Sequence, residues 1–293
     1  VGAESAAQRS KLSAYLELTK PRIVLMVLLT TGVGFWLAAR LAGHPLALAA
    51  TLLGTGLVAG GASAWNQVIE RARDARMRRT SRRPLPLGDV SPRAAGFFGT
   101  AITALGLAIL AFVHPLAALV AFLTFMLYIA VYTPLKLVTT LNTAIGAVPG
   151  ALPPVIGWAA ATGRIGLESW TLFLIVFLWQ FPHFLAIAWL HREDYARGGY
   201  RMLPSVDPDG SITSRQAVVF ALTLIPGGLM PAVIGLAGPW YYLGVLALGF
   251  FYVDASFRFQ ADVSDVSARR LMRASFFYLP LVLLLLILNP LPA

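Results

Sequence analysis

The sequence predicts an all-α, polytopic membrane bundle of nine transmembrane helices, with the N-terminus cytoplasmic and the C-terminus outside. Three observations carry this. Of the 293 residues, 58% are hydrophobic and 12% are charged, about half the roughly 25% of an average soluble domain. Nine apolar runs lie near residues 23–39, 46–66, 95–113, 115–133, 142–161, 169–190, 216–236, 239–255 and 274–289, and about 20 apolar residues suffice for a helix to cross the hydrocarbon core. The basic residues fall between alternate runs. With the N-terminus inside, 21 of the 23 Lys and Arg residues lie on the inner side and only Arg40 and Arg164 on the outer, the asymmetry that sets orientation.

Taken in order, Val1 to Ser13 is small and polar, lacks the apolar core of a secretory signal and reads as loose, within a cytoplasmic tail of residues 1–20. His44 and His114 stand next to prolines in outer turns and read as structural. The run at 142–161 holds Pro149, Pro153 and Pro154, which predicts a broken or kinked span. Gly and Pro elsewhere in the runs are tolerated in membrane helices. The longest connections, 67–93 and 191–215, are both on the inner side and hold most of the acidic residues. They follow spans two and six, as equivalent positions in two four-helix halves would. The whole of 1–293 reads as one membrane domain with these two segments as its catalytic loops.

Composition also excludes functions. Cysteine is absent, which removes disulfides, thiolate metal sites and covalent haem attachment. The net charge of +10 does not signal nucleic acid, because the basic residues sit where topology signals sit.

After span two the chain reads N-Q-V-I-E-R-A-R-D-A-R-M-R-R-T-S-R-R-P-L-P. Asn66, Glu70 and Asp74 recur every four residues, forming one slowly winding stripe on a helix. Oxygen ligands in a stripe suit a hard cation, and Mg²⁺ is commonly held by one or two carboxylates together with substrate phosphates. Around the stripe lie Arg71, Arg73, Arg76, Arg78, Arg79, Arg82 and Arg83, whose guanidinium forks match phosphate oxygens. Topology determinants and lipid-headgroup contacts also look like this.

Span six ends W-Q-F-P-H-F-L-A-I-A-W-L-H-R-E-D-Y-A-R-G-G-Y-R-M-L-P. Glu193 and Asp194 are its carboxylates. His183 and Asp194 are eleven residues apart and share a helix face if the helix runs on, with His191 on a neighbouring strip. Gly198 and Gly199 then end that helix. An ionisable residue inside a span is a functional candidate by default, which singles out His183. The structural alternative is a histidine bonded to a neighbouring helix.

These motifs resemble the UbiA superfamily of intramembrane prenyltransferases, and within it the branch that farnesylates haem. The first family motif, N-D-x-x-D-x-x-x-D followed by R-T-x-x-R-P-L, is met by Asn66, Gln67, Glu70, Asp74, Arg79, Thr80, Arg83, Pro84 and Leu85. Gln67 and Glu70 depart from it, and Gln67 leaves metal binding to the others. The second motif, D-x-x-D-D or D-x-x-x-D, keeps only Asp194, with His191 and Tyr195 at its ends. W-Q-F-P-H-F, D-Y-A-R-G-G-Y-R-M-L-P, the stretch from Tyr132 to Trp158, and K-P-R at Lys20 to Arg22 resemble the haem branch.

The resemblance implies nine helices with both acidic loops capping a central cavity open to lipid, in a bacterial inner membrane. It implies transfer of farnesyl from farnesyl diphosphate to a vinyl group of haem B with addition of water, giving haem O and diphosphate. Asn66, Glu70, Asp74 and Asp194 would hold Mg²⁺, and Arg22, Arg79, Arg83 and Lys136 would contact the diphosphate. Asn142, His183, His191, Glu193 and Tyr195 complete the expected substrate site. Partners so implied are the two substrates, the bilayer and a downstream haem-modifying enzyme or terminal oxidase assembly, with no nucleic acid. A prenyltransferase acting on a quinone-precursor ring is the nearest rival. A transporter, whose binding groups lie near the bilayer midplane, fits less well with acids placed at helix ends.

Overall fold

The computed structural model describes residues 10–39 and 44–291; Arg9, Arg40 and the first nine residues of the expected tail lie outside them. Among the described residues nine helices are long and apolar enough to cross a membrane. A short helix, α1 (Lys11–Leu18), precedes α2 (Pro21–Ala39) and α3 (Pro45–Asp74). A single turn α4 (Pro84–Leu87) leads to α5 (Pro92–Val113). Span four is α6 (Pro115–Met126), a π-helical stretch over Leu127–Tyr132, and α7 (Thr133–Leu135). Span five is α8 (Asn142–Ala151) and α9 (Pro153–Thr162), followed by α10 (Leu167–Leu190). The short α11 (Arg192–Arg197) and α12 (Leu203–Val206) precede α13 (Ser211–Val233), α14 (Pro239–Ala261) and α15 (Asp265–Leu288).

Two expectations need correction. Residues 11–13, expected to be loose, begin a helix that runs from Lys11 to Leu18. Ser10 caps α1 by accepting from the Ser13 amide at 3.2 Å, and Ala14 and Leu18 are buried against Ala64, Leu85, Val90 and Ala95. The last span also starts at Asp265, well before its apolar run, because Ser264 and Ser267 form a reciprocal capping box there. The break in span five falls at Leu152, as the prolines predict, since Pro153 removes a helical donor.

The spans pack in chain order, and α15 returns to touch α2, closing the bundle. Buried apolar residues form two main cores. One lies among α3, α5, α6 and α9, the other among α10, α13, α14 and α15, and α2 and α9 contribute to both. The turns behave as topology requires. His114 accepts from the Leu116 amide at 3.1 Å and packs on Gly163 of the next turn at the same end, the structural role expected of it. The long charged loops meet at the opposite end.

Close approach of α2 and α9 depends on two glycines. A Cβ on Gly34 would land on the Pro154 carbonyl oxygen, and one on Gly157 on the Thr31 carbonyl oxygen. At Gly32 the nearest atom would be Leu52 Cδ2 at 3.6 Å, an ordinary contact. Gly157→Ala is therefore expected to destabilise the bundle by about 1–3 kcal/mol through overpacking, seen as a lower melting temperature in detergent. Gly32→Ala should leave that temperature unchanged.

Candidate active site

α3 does not stop where its apolar run stops. It continues to Asp74, so Asn66, Glu70 and Asp74 share one face at the charged end of the bundle. All three are buried, and each meets a cationic group from a different part of the chain. Lys20, between α1 and α2, donates to Asn66 Oδ1 at 2.8 Å. Lys136, after α7, donates to Glu70 Oε1 at 2.8 Å. Arg83 donates from Nη1 to Asp74 Oδ2 at 2.8 Å.

The backbone is bent to deliver these cations. Lys20 is the one non-glycine among the described residues with positive φ, at 51°, a conformation that costs about 1–2 kcal/mol. Burial, with the Arg83 guanidinium next, pushes its ammonium down to about 7. Lys136 follows the π-helical stretch, and such widened turns recur at functional sites. There Thr133 Oγ1 donates to the Tyr128 carbonyl at 2.8 Å and accepts from Asn66 Nδ2 at 3.3 Å. Lys136 Nζ stands 4.5 Å from the Tyr132 ring centroid.

The second loop differs from expectation. α10 ends at Leu190, and His191 leaves helical geometry with φ −116° and ψ 19°, so His183 and Asp194 do not share one continuous helix. Asp194 sits instead in α11, buried, with both oxygens engaged. Oδ1 accepts from the Arg78 amide at 3.0 Å and from Arg197 Nη2, and Oδ2 accepts from the Arg79 amide at 3.2 Å. Burial opposes its charge, but donation by Arg197 and by the two amides holds the carboxyl below the usual carboxylate range. Gly199 ends the segment with φ 73°, the left-handed stop expected of a glycine.

Asp194 thus fastens the second acidic loop to the backbone that follows Asp74. A third segment is tied in as well. The Arg201 amide donates to the Lys136 carbonyl at 2.7 Å, and Asn142 Nδ2 donates to the carbonyls of Arg201 at 2.9 Å and Thr139 at 2.5 Å. Met77, Ala188, Tyr200 and Met202 close the apolar interior of this cap.

The other expected residues separate into two groups. Arg79 lies over Tyr195, 5.8 Å from the ring centroid, and His191 stands close by, its imidazole pushed down by burial and then by Arg79. Arg22 is exposed, as is Glu193, whose side chain is 76% accessible and nearest Arg197. His183 lies in the span, with Nδ1 2.7 Å from Ser275 Oγ of α15 and its ring stacked on Trp179 at 4.9 Å. That is the interhelical bond of the structural alternative.

Sequence reasoning did not single out Lys20 or Thr133. Lys20 looked like one more topology charge. Gln67 lies one residue past Asn66, so its side chain leaves the Asn66–Glu70–Asp74 stripe, and Nε2 donates to the Leu18 and Glu17 carbonyls at 3.0 and 3.4 Å.

The donor set fits a hard divalent cation bound together with a diphosphate. Asp74 Oδ1 is buried without a hydrogen-bond partner, and amines already rest on Asn66 and Glu70. Among the described residues no three His, Asp or Glu side chains gather closely enough to hold a metal alone. Substrate phosphates would supply the remaining ligands, the usual arrangement for Mg²⁺.

Two outcomes follow. Lys136→Met leaves Glu70 buried and unpaired, and should lower stability by about 3–5 kcal/mol, measured as thermal unfolding in detergent; pairing it with Glu70→Gln should recover part of the loss. The depressed Asp194 carboxyl contributes stability above its unfolded value and loses it only as pH falls through the lower folded value. Hydrogen exchange of residues 191–206 should therefore stay slow from neutral pH to about pH 5, and Asp194→Asn should make it fast throughout.

Residues 27–281 match the model of the UbiA prenyltransferase family. A protein of Solibacter usitatus (strain Ellin6076) named protoheme IX farnesyltransferase is 44% identical over 285 residues, covering 94% of this chain and 98% of its own. One of Koribacter versatilis (strain Ellin345) with the same name is 43% identical over 291 residues, covering 96% and 94%. Among solved structures, a digeranylgeranylglyceryl phosphate synthase has a TM-score of 0.80 at 17% identity, covering 95% of this chain and 98% of that one. A UbiA homologue from Archaeoglobus fulgidus bound to GPP and Mg²⁺ has a TM-score of 0.67 at 17% identity, covering 94% and 99%. The family match over most of the chain and the relatives at 43–44% identity along nearly its whole length settle the point: this chain belongs to the UbiA prenyltransferase family.

Proposed function

We propose that this chain transfers farnesyl from farnesyl diphosphate to a vinyl group of haem B, adding water to give haem O and diphosphate. The observation that carries the reading is the buried face of Asn66, Glu70 and Asp74, matched by Lys20, Lys136 and Arg83. Bacterial relatives at 43–44% identity that bear the protoheme IX farnesyltransferase name support the choice of acceptor. The charged loops then face the cytoplasm of a bacterial inner membrane, with the N-terminus inside.

Asn66, Glu70 and Asp74 would hold Mg²⁺ against the diphosphate, and the bound ion supplies Lewis-acid stabilisation of the leaving group. Lys20, Lys136, Arg83 and Arg79 meet the charge that develops on the diphosphate, a preorganised field of the kind that usually contributes most. As the farnesyl C1–O bond breaks, C1 bonds to the terminal vinyl carbon of haem. The adjacent carbon takes hydroxide from water, and a proton is released. Tyr128 and Tyr132, 5.5 Å apart beside Lys136, offer ring faces to the allylic cation. Asp194 and Asn142 keep the loops closed and water out. Arg22 and Glu193 take no part, and His183 holds α10 to α15.

Asp74→Ala is expected to lower haem O formation by about 10²–10³-fold while haem titration is unchanged; near-native turnover would remove Asp74 from the site. Prenylation of 4-hydroxybenzoate but not haem would transfer the reading to a quinone-precursor ring. His183→Ala and Ser275→Ala should lower thermal stability alike and leave haem titration unaltered. A haem spectrum changed by the first alone would put His183 on the haem.

A further inference from the structure

α1 carries more apolar surface than its protein neighbours cover. Its inner strip, Ala14 and Leu18, is buried on α3, α4 and α5. One turn apart on another strip, Leu12 and Leu16 are 72% and 56% exposed. Ser10, Ser13 and Glu17 form the remaining polar strip. The depth of the helix is set by what it touches. Ala64 of α3 and Ala95 and Phe98 of α5 belong to spanning helices near their charged ends, so α1 lies at the membrane border.

The surroundings match a lipid surface in both chemistry and continuity. Ile23, Leu25, Leu87 and Phe97 are each more than half exposed and extend the apolar surface. Lys11, Arg22 and Arg93 are exposed cations for anionic headgroups. Where α1 passes into α2, a cavity of about 330 Å³ is lined by Thr19, Pro21, Val24, Leu28, Gly56 and Gly60, apolar room for an acyl chain.

The other end of α1 is wired to the site. Gln67 donates to the Leu18 and Glu17 carbonyls, which no carboxylate could do, and two residues later Lys20 turns through positive φ onto Asn66. We propose that α1 is a bilayer-surface helix whose Leu12 and Leu16 enter the acyl region of the adjoining leaflet, and that Gln67 transmits this anchorage to the seat of Lys20 on Asn66. The second half rests on the function proposed above; the first does not.

The chain contains no cysteine, so single Leu12→Cys, Leu16→Cys and Ser13→Cys variants can carry a bimane label in nanodiscs of phosphatidylglycerol and phosphatidylcholine with doxyl-labelled acyl chains. Strong quenching at positions 12 and 16 with little at 13 is expected; equal quenching at all three overturns the anchorage. Leu12→Gln/Leu16→Gln, Gln67→Met and Gln67→Glu should each speed hydrogen exchange of residues 11–20. Each should also raise KM for farnesyl diphosphate about tenfold, with kcat within about twofold. Unchanged KM and exchange in the Gln67 variants overturn the coupling. If the native chain forms no prenylated product, the functional reading fails, while quenching and exchange still decide the helix.

Discussion

Three oxygen-bearing side chains towards the C-terminal end of α3 are buried, and each accepts a hydrogen bond from a basic side chain. Unpaired, a carboxylate in that position would cost several kcal/mol or take up a proton. The pairs Lys136–Glu70 and Arg83–Asp74 remove that cost, and Lys20 donates to the neutral Asn66 amide beside them. Each cation comes from a different stretch of chain, so satisfying α3 also fixes the α1–α2 link, the end of span four and the first charged loop. The fold at this end follows from charge compensation more than from apolar packing.

The same pairing supports the proposed metal-bound diphosphate at this end of the bundle. Carboxylates held next to ammonium and guanidinium groups stay ionised, and cations held next to carboxylates are positioned before substrate arrives. On the proposed reading Glu70 and Asp74 would hold a divalent ion, and the Lys136 ammonium and Arg83 guanidinium beside them would meet phosphate oxygens. Asp194 has a different part. With both oxygens on the Arg78 and Arg79 amides and Arg197, it joins the two acidic loops into one cap.

Inside the membrane the polar groups follow the opposite logic. His183, Ser275, Trp179 and Tyr252 bond one another's side chains or backbone across α10, α14 and α15. Such bonds hold helices together where lipid gives apolar surfaces no reason to associate. An in-span histidine invites a functional role, yet here one nitrogen is bonded to Ser275 of α15 and the ring is stacked on Trp179 of its own helix, with Phe276 of α15 edge-on beside it.

The helix count, the span positions, the break before Pro153 and the Asn66–Glu70–Asp74 stripe were legible in the sequence, because each depends on local periodicity, length or backbone chemistry. The helical end of the tail was not, since only contact with Ala64 and Ala95 gives Ala14 and Leu18 a surface to bury. Lys20 and Arg22 look alike as charges beside Pro21, and the positive φ at Lys20, set by packing, decides which one turns inward. Nor could spacing show that Asp194 grips amides, because its partners are 115 and 116 residues away in the chain. The sequence alone determined which chemistry was present and on which helix it lay; which cation meets which oxygen was decided only by the closed bundle, because pairing across distant segments depends on three-dimensional proximity that no local pattern encodes.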